Sequence, residues 1–121
     1  MGLRQTIAIA AFALLWGGPA FADKGEADLA GFRDRVAPFF KTYCTGCHGP
    51  KKAKGKLTLH DIGGDLTTAS DELKDRWQDI LEQLTFEEMP PEKETIQPSA
   101  RQRQGMIVWI QGQLKIAGRD P

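Results

Sequence analysis

Both cysteines of this 121-residue chain fall in one short stretch, Cys44-Thr45-Gly46-Cys47-His48-Gly49, together with one of its two histidines. A thiol pair at that spacing has three chemical uses. It closes a redox-active disulfide, it ligates zinc, or it adds across the two vinyl groups of a haem. The disulfide reading needs a strand before the motif and a surrounding βαβ pattern. The preceding residues Leu29, Phe32, Val36, Phe39, Phe40 and Tyr43 recur instead at helical spacing. Zinc would find Cys44, Cys47, His48 and His60, but His48 adjoins Cys47 and the separated histidine pair of a zinc finger is missing. Haem attachment uses every residue of the motif. Cysteines three apart present two thiols on one turn, and His48 follows directly to reach the iron. Cys44 and Cys47 are therefore read as the thioether positions of one covalently attached haem c, with His48 as an axial ligand.

What fills the other axial position decides the function. Beyond Met1 the chain has only Met89 and Met106. Met106, Trp109, Ile110, Gln113, Leu114 and Ala117 repeat at helical spacing, which makes Met106 a core residue. Met89 lies in Thr-Phe-Glu-Glu-Met-Pro-Pro-Glu, a stretch without helical period. There Pro90 and Pro91 fix φ angles and limit the loop's freedom to swing away. A thioether on such a loop suits an iron ligand, so Met89 is the expected partner of His48. His60 is the competitor, and a bis-histidine iron would have a lower potential; a lone exposed histidine more often has no such role.

In an oxidising compartment a vicinal thiol pair should not persist unused, so the expected destination of the chain bears on the motif. Residues 1–22 have the three-part pattern of a secretory leader: Arg4 and no acid, ten apolar residues from Ile7 to Trp16, then small residues ending at Ala20 and Ala22. Ten apolar residues are about half of the ~20 that cross a bilayer, which favours cleavage over a retained anchor. No cysteine near Ala22 offers a lipid attachment point. The expectation is a periplasmic protein of residues 23–121 with one domain, its core at about 32–117, and no membrane span. An apolar fraction of 40% and a charged fraction of 26% describe a globular chain rather than a disordered one. No basic surface of the extent nucleic acid requires is visible.

The elements that would hold the site read as helices. The first leads into Cys44, and Pro38 is expected to interrupt it and to start a short helix of its own. In the second, Leu73, Trp77, Ile80, Leu81 and Leu84 form one stripe, with Asp71 and Glu72 in the first turn. Trp77 is read either as a core aromatic or as an indole donor to a haem propionate. The third starts at a capping box, Ser99 with Gln102, and stops at Gly118. A Gly- and Lys-rich loop with a brief extended Leu57-Thr58-Leu59 separates the motif from the second helix. The predicted fold class is all-α: a small domain of about three main helices wrapped around one covalent haem, which would contribute much of its stability.

Three stretches in this order, Phe39–Leu59, Trp77–Glu92 and Gln97–Leu114, resemble the planctomycete-type cytochrome c domain, a class I-like c-type cytochrome with an extended loop after the haem motif. The resemblance implies thioether links at Cys44 and Cys47, a proximal His48 and a distal Met89. Glu87 or Glu88 stands where a Gly-Glu-Met-Pro-Pro-like loop has its more usual glycine, and His60-Asp61 follows the Leu-x-Leu stretch where an acidic residue is common. The implied function is one-electron transfer between redox proteins, without enzymatic turnover. A chain not fused to other domains would be a diffusible carrier. Two alternatives stay open: a haem subunit fixed in a periplasmic dehydrogenase or oxidase, and a small-ligand-binding or peroxidatic haem protein if Met89 is unbound. Charge is segregated along the chain. Residues 41–60 carry five lysines and no acid, whereas residues 61–94 carry eleven acids and three bases. That is either a pair of solvated faces or a dipole that orients docking.

Overall fold

Three helical stretches make up most of the regular structure in the computed structural model, which describes residues 25–121. The leader expected over residues 1–22 lies outside the described residues. Helix α1 covers residues 29–43, α2 Asp71–Thr85 and α3 Ala100–Ile116. Among the described residues there is one further 3-10 turn, Lys54–Lys56, and no strand beyond an isolated bridge between His48 and Ala53. The described residues are thus all-α, as the periodicity predicts, and none of their helices is long and apolar enough to cross a membrane.

Local chemistry sets the ends of each helix. Asp28 caps α1, its Oδ1 accepting the Gly31 N–H at 2.8 Å. Ser70 caps α2 by accepting the Leu73 N–H at 3.2 Å, and Asp71 and Glu72 follow in the first turn. Ser99 and Gln102 form a reciprocal capping box at the start of α3. At its end Gly118 takes φ +80°. The Arg119 N–H bonds back to the Leu114 carbonyl and the Gly118 N–H to that of Lys115, the pairing of a Schellman stop.

The break expected at Pro38 is a change of pitch instead. Residues Phe32–Val36 form a π turn in which the Ala37 N–H reaches back to Phe32, and α1 runs on through Ala37–Tyr43. A wider turn just ahead of a residue with no N–H and a bulky ring lets the helix pass it without ending.

The three helices meet on an aromatic cluster. Trp77 of α2 is fully buried and stacks on Phe40 of α1, with ring centroids 5.5 Å apart at 28°. Trp109 of α3 lies 5.5 Å from Trp77 on another side, and Phe32 touches both indoles. Val36, Leu66, Ile110 and Leu114 complete the deepest layer. Each indole N–H has a partner: Trp77 Nε1 donates to the Gly63 carbonyl at 3.1 Å, and Trp109 Nε1 to Asp28 at 3.1 Å. Of the two roles read for Trp77, the core role is the one observed. Its donor is already committed to backbone and is not directed toward a propionate.

Candidate haem site

The site begins where α1 ends. Cys44 N–H bonds to the Phe40 carbonyl at 2.8 Å, and the chain then turns so that the N–H groups of Cys47 and His48 both reach the Cys44 carbonyl. That turn carries two thiols and an imidazole off the end of one helix. Two further bonds fix it from outside: Lys54 N–H to the Cys47 carbonyl at 2.9 Å and Leu59 N–H to the His48 carbonyl at 2.7 Å. Gly49 closes the turn, buried against Thr45. A Cβ at this position would stand 2.1 Å from the Thr45 carbonyl oxygen, so no larger residue fits without moving the backbone.

Facing the motif across a cavity of about 360 Å³ is the loop that follows α2. Cys44, Cys47, His48 and Met89 all line this one cavity, although Met89 is 41 residues further along the chain than His48. Its apolar wall includes Phe40, Leu57, Leu59, Ile80, Leu84 and Ile96. Arg76, Asp79 and Gln83 line it from α2, and Glu94 from the loop. His60 is not on the lining; its Nδ1 lies 4.0 Å from Asp61 at the surface. Met106 is buried in the core at 6% exposure, and Met89 is 36% exposed.

The backbone of Met89 is held at both ends. Its N–H reaches the Gln83 carbonyl at 3.3 Å, and its carbonyl accepts from Arg103 Nη1 at 2.7 Å. Gln97 Nε2 donates to Pro91 at 2.8 Å and to Glu94 at 3.2 Å, which ties the rest of the loop together. The Met89–Pro90 peptide is cis. Neither Arg103 nor Gln97 is evident from the Cys-x-x-Cys-His and Met-Pro-Pro motifs. One signal in the sequence does point to Arg103: it lies three residues before Met106 on the apolar stripe of α3, where an arginine is unusual.

The donor set fits a covalently held haem better than the other uses of two thiols. Burial pushes the Cys44 thiol up to about 12, the opposite of the depressed value of a redox dithiol. Both cysteines are free thiols. No cluster of three or more His, Cys, Asp or Glu side chains arranged for a metal ion occurs among the described residues, which leaves zinc without a closed site. His48 Nδ1 is buried without a hydrogen-bond partner, so this nitrogen is not taken up by a structural bond. The cavity is of ligand-site size, within the ~300–1,000 Å³ of such pockets, and its wall is largely apolar.

Comparison with known families is consistent with this geometry. Residues 44–93 match the family described as Planctomycete cytochrome C, a span that runs from the first thiol of the motif past Met89. No curated protein and no solved structure matches the chain.

Proposed function

We propose that the chain is an exported mono-haem c-type cytochrome that carries single electrons with His48 and Met89 as axial ligands, a reading supported by the match of residues 44–93 to the family described as Planctomycete cytochrome C. When bound, the haem iron supplies one-electron oxidation and reduction. The observation that carries the reading is the convergence of Cys44, Cys47, His48 and Met89 on one largely apolar cavity. Cys44 and Cys47 would hold the group by thioethers, since S–H addition across a vinyl C=C needs no leaving group. His48 and Met89 would be the two residues to ligate the iron, and with both bound no position would remain for dioxygen or peroxide, which would keep the site an electron relay. The apolar wall would shield the ring from water, and Arg76 is the cation on the lining able to meet a propionate. Export follows from the leader pattern of residues 1–22.

Mass spectrometry and visible spectra test this directly. The protein from an export-competent, haem-maturing host is expected to have the mass of residues 23–121 plus one haem, stable to acid–acetone extraction. Its ferric form is expected to show the far-red band of methionine bound to iron. Met89→Ala should remove that band, lower the potential and admit cyanide, while Met106→Leu leaves the band in place because it exchanges core side chains of similar volume. A chain recovered with zinc or an internal disulfide, and without haem, contradicts the reading.

A further inference from the structure

Arg103 is 9% exposed, and among the described residues it forms no ion pair with a carboxylate. A buried guanidinium without an acid is costly unless carbonyl oxygens replace its water. Two do so here. Nη1 donates to the Met89 carbonyl at 2.7 Å and, more weakly, to the Leu84 carbonyl at 3.4 Å. Leu84 belongs to the last turn of α2, where a cation is favoured, and its carbonyl also accepts the Glu87 N–H at 3.3 Å. One side chain of α3 therefore joins the end of α2 to the residue that presents its thioether to the cavity. Its own position is fixed by the α3 cap, since the Arg103 N–H bonds to the Ser99 carbonyl at 2.9 Å.

We infer that Arg103 is a positioning residue: its charged hydrogen bond to the Met89 carbonyl holds the thioether against the iron and sets how readily outside ligands displace it. The inference rests on Met89 being the sixth ligand. Phe86, Glu87 and Glu88 beside it are exposed, and no side chain other than Arg103 donates to the Met89 carbonyl among the described residues. Pairing with a charged donor is stronger than a neutral hydrogen bond, and removing the donor leaves a carbonyl to find water. The loop then gains the freedom to move Met89 off the iron while the helices stay packed.

Imidazole binding to the haem-loaded ferric protein tests it, together with thermal melts followed at the methionine–iron band and by far-ultraviolet circular dichroism. Arg103→Met should bind imidazole about ten-fold or more tightly than wild type, and should lose the band well below its global melting temperature. Arg103→Lys, which keeps a charge but offers a point donor instead of a fork, should fall between the two. Met89→Ala sets the ceiling of imidazole affinity. Wild-type affinity in Arg103→Met, or a band and a fold that weaken in parallel, would overturn the positioning role while leaving Met89 as ligand. If Arg103→Met does not accumulate, wild-type affinity in Arg103→Lys overturns it equally. An affinity unchanged by Met89→Ala removes the ligand assignment itself, and the role of Arg103 with it.

Discussion

Gly49 shows how one missing side chain shapes the haem motif. The residue after His48 packs so closely on Thr45 that a methyl group would overlap its carbonyl oxygen. Backbone, not a flexible side chain, is the obstacle, so relief requires the Cys44–His48 turn to open. Gly49→Ala is therefore expected to lower the yield of doubly attached haem, visible as singly linked or unloaded protein in the mass spectrum. Gly46, where a Cβ would meet nothing within 4 Å, is the matched control, and Gly46→Ala should mature normally. At this scale the Cys-x-x-Cys-His motif was legible because its chemistry is local. Gly49 and Gln97 carry no such motif, and for Arg103 the sequence offers only an arginine on an apolar stripe, because the Met89 carbonyl it meets is brought to it by the fold. Trp77 illustrates the same limit. Its place on the apolar stripe was readable, but the partner of its indole, Gly63, lies in a loop without periodicity.

Helix ends were the most readable elements, because a cap is a contact between residues three or four apart. Ser99 with Gln102, and Gly118, act where the sequence places them. The π turn before Pro38 was not readable, since proline announces a missing donor without saying how the helix accommodates it. Asp28 is the element-scale link that also responds to pH. Its carboxylate accepts the Gly31 N–H, the Trp109 indole and Arg35, so it joins the start of α1 to α3. Those bonds hold its carboxyl below the ordinary carboxylate value of 3.8, chiefly through the Gly31 backbone bond, with burial opposing. A depressed folded value means that the stabilisation is complete above the unfolded pKa of about 4 and is lost as pH falls through the folded one. Asp28→Asn should melt at a lower temperature at pH 7, and the gap from wild type should narrow on acidification below about pH 4. A gap independent of pH would show that the carboxylate charge contributes nothing.

Across the whole molecule, the cavity separates two kinds of surface. Lys51, Lys52, Lys54 and Lys56 are exposed on the loop after the haem motif, while Glu87, Glu88, Glu92 and Glu94 are exposed around the Met89 loop. A partner approaching the cavity would meet lysines on one side and glutamates on the other, and long-range steering of this sort would weaken as salt shortens the screening length from ~10 Å at 0.1 M to ~3 Å at 1 M. Oxidation by an anionic reagent such as ferricyanide should slow when Lys52 and Lys54 are changed to Glu, and oxidation by a cationic cobalt complex should slow when Glu88 and Glu92 are changed to Lys. Both effects should fade at high salt. Rates indifferent to charge reversal would reduce the two faces to solvated surface.

The stack of Phe40 on Trp77 also determines how the protein handles light. Of the three tryptophans, Trp16 belongs to the expected leader, and a chain cleaved after Ala22 would retain only Trp77 and Trp109, side by side in the core. Phe40 has one neighbour in that pair and also lines the cavity. Excitation of either indole thus occurs within a side chain or two of any strongly absorbing pigment held there, and energy transfer to it competes with emission. The loaded, folded protein should be nearly dark in the ultraviolet and the unloaded one bright. Unfolding, by parting the indoles from the pigment, would switch the emission on, a reporter of assembly built from the residues that form the core.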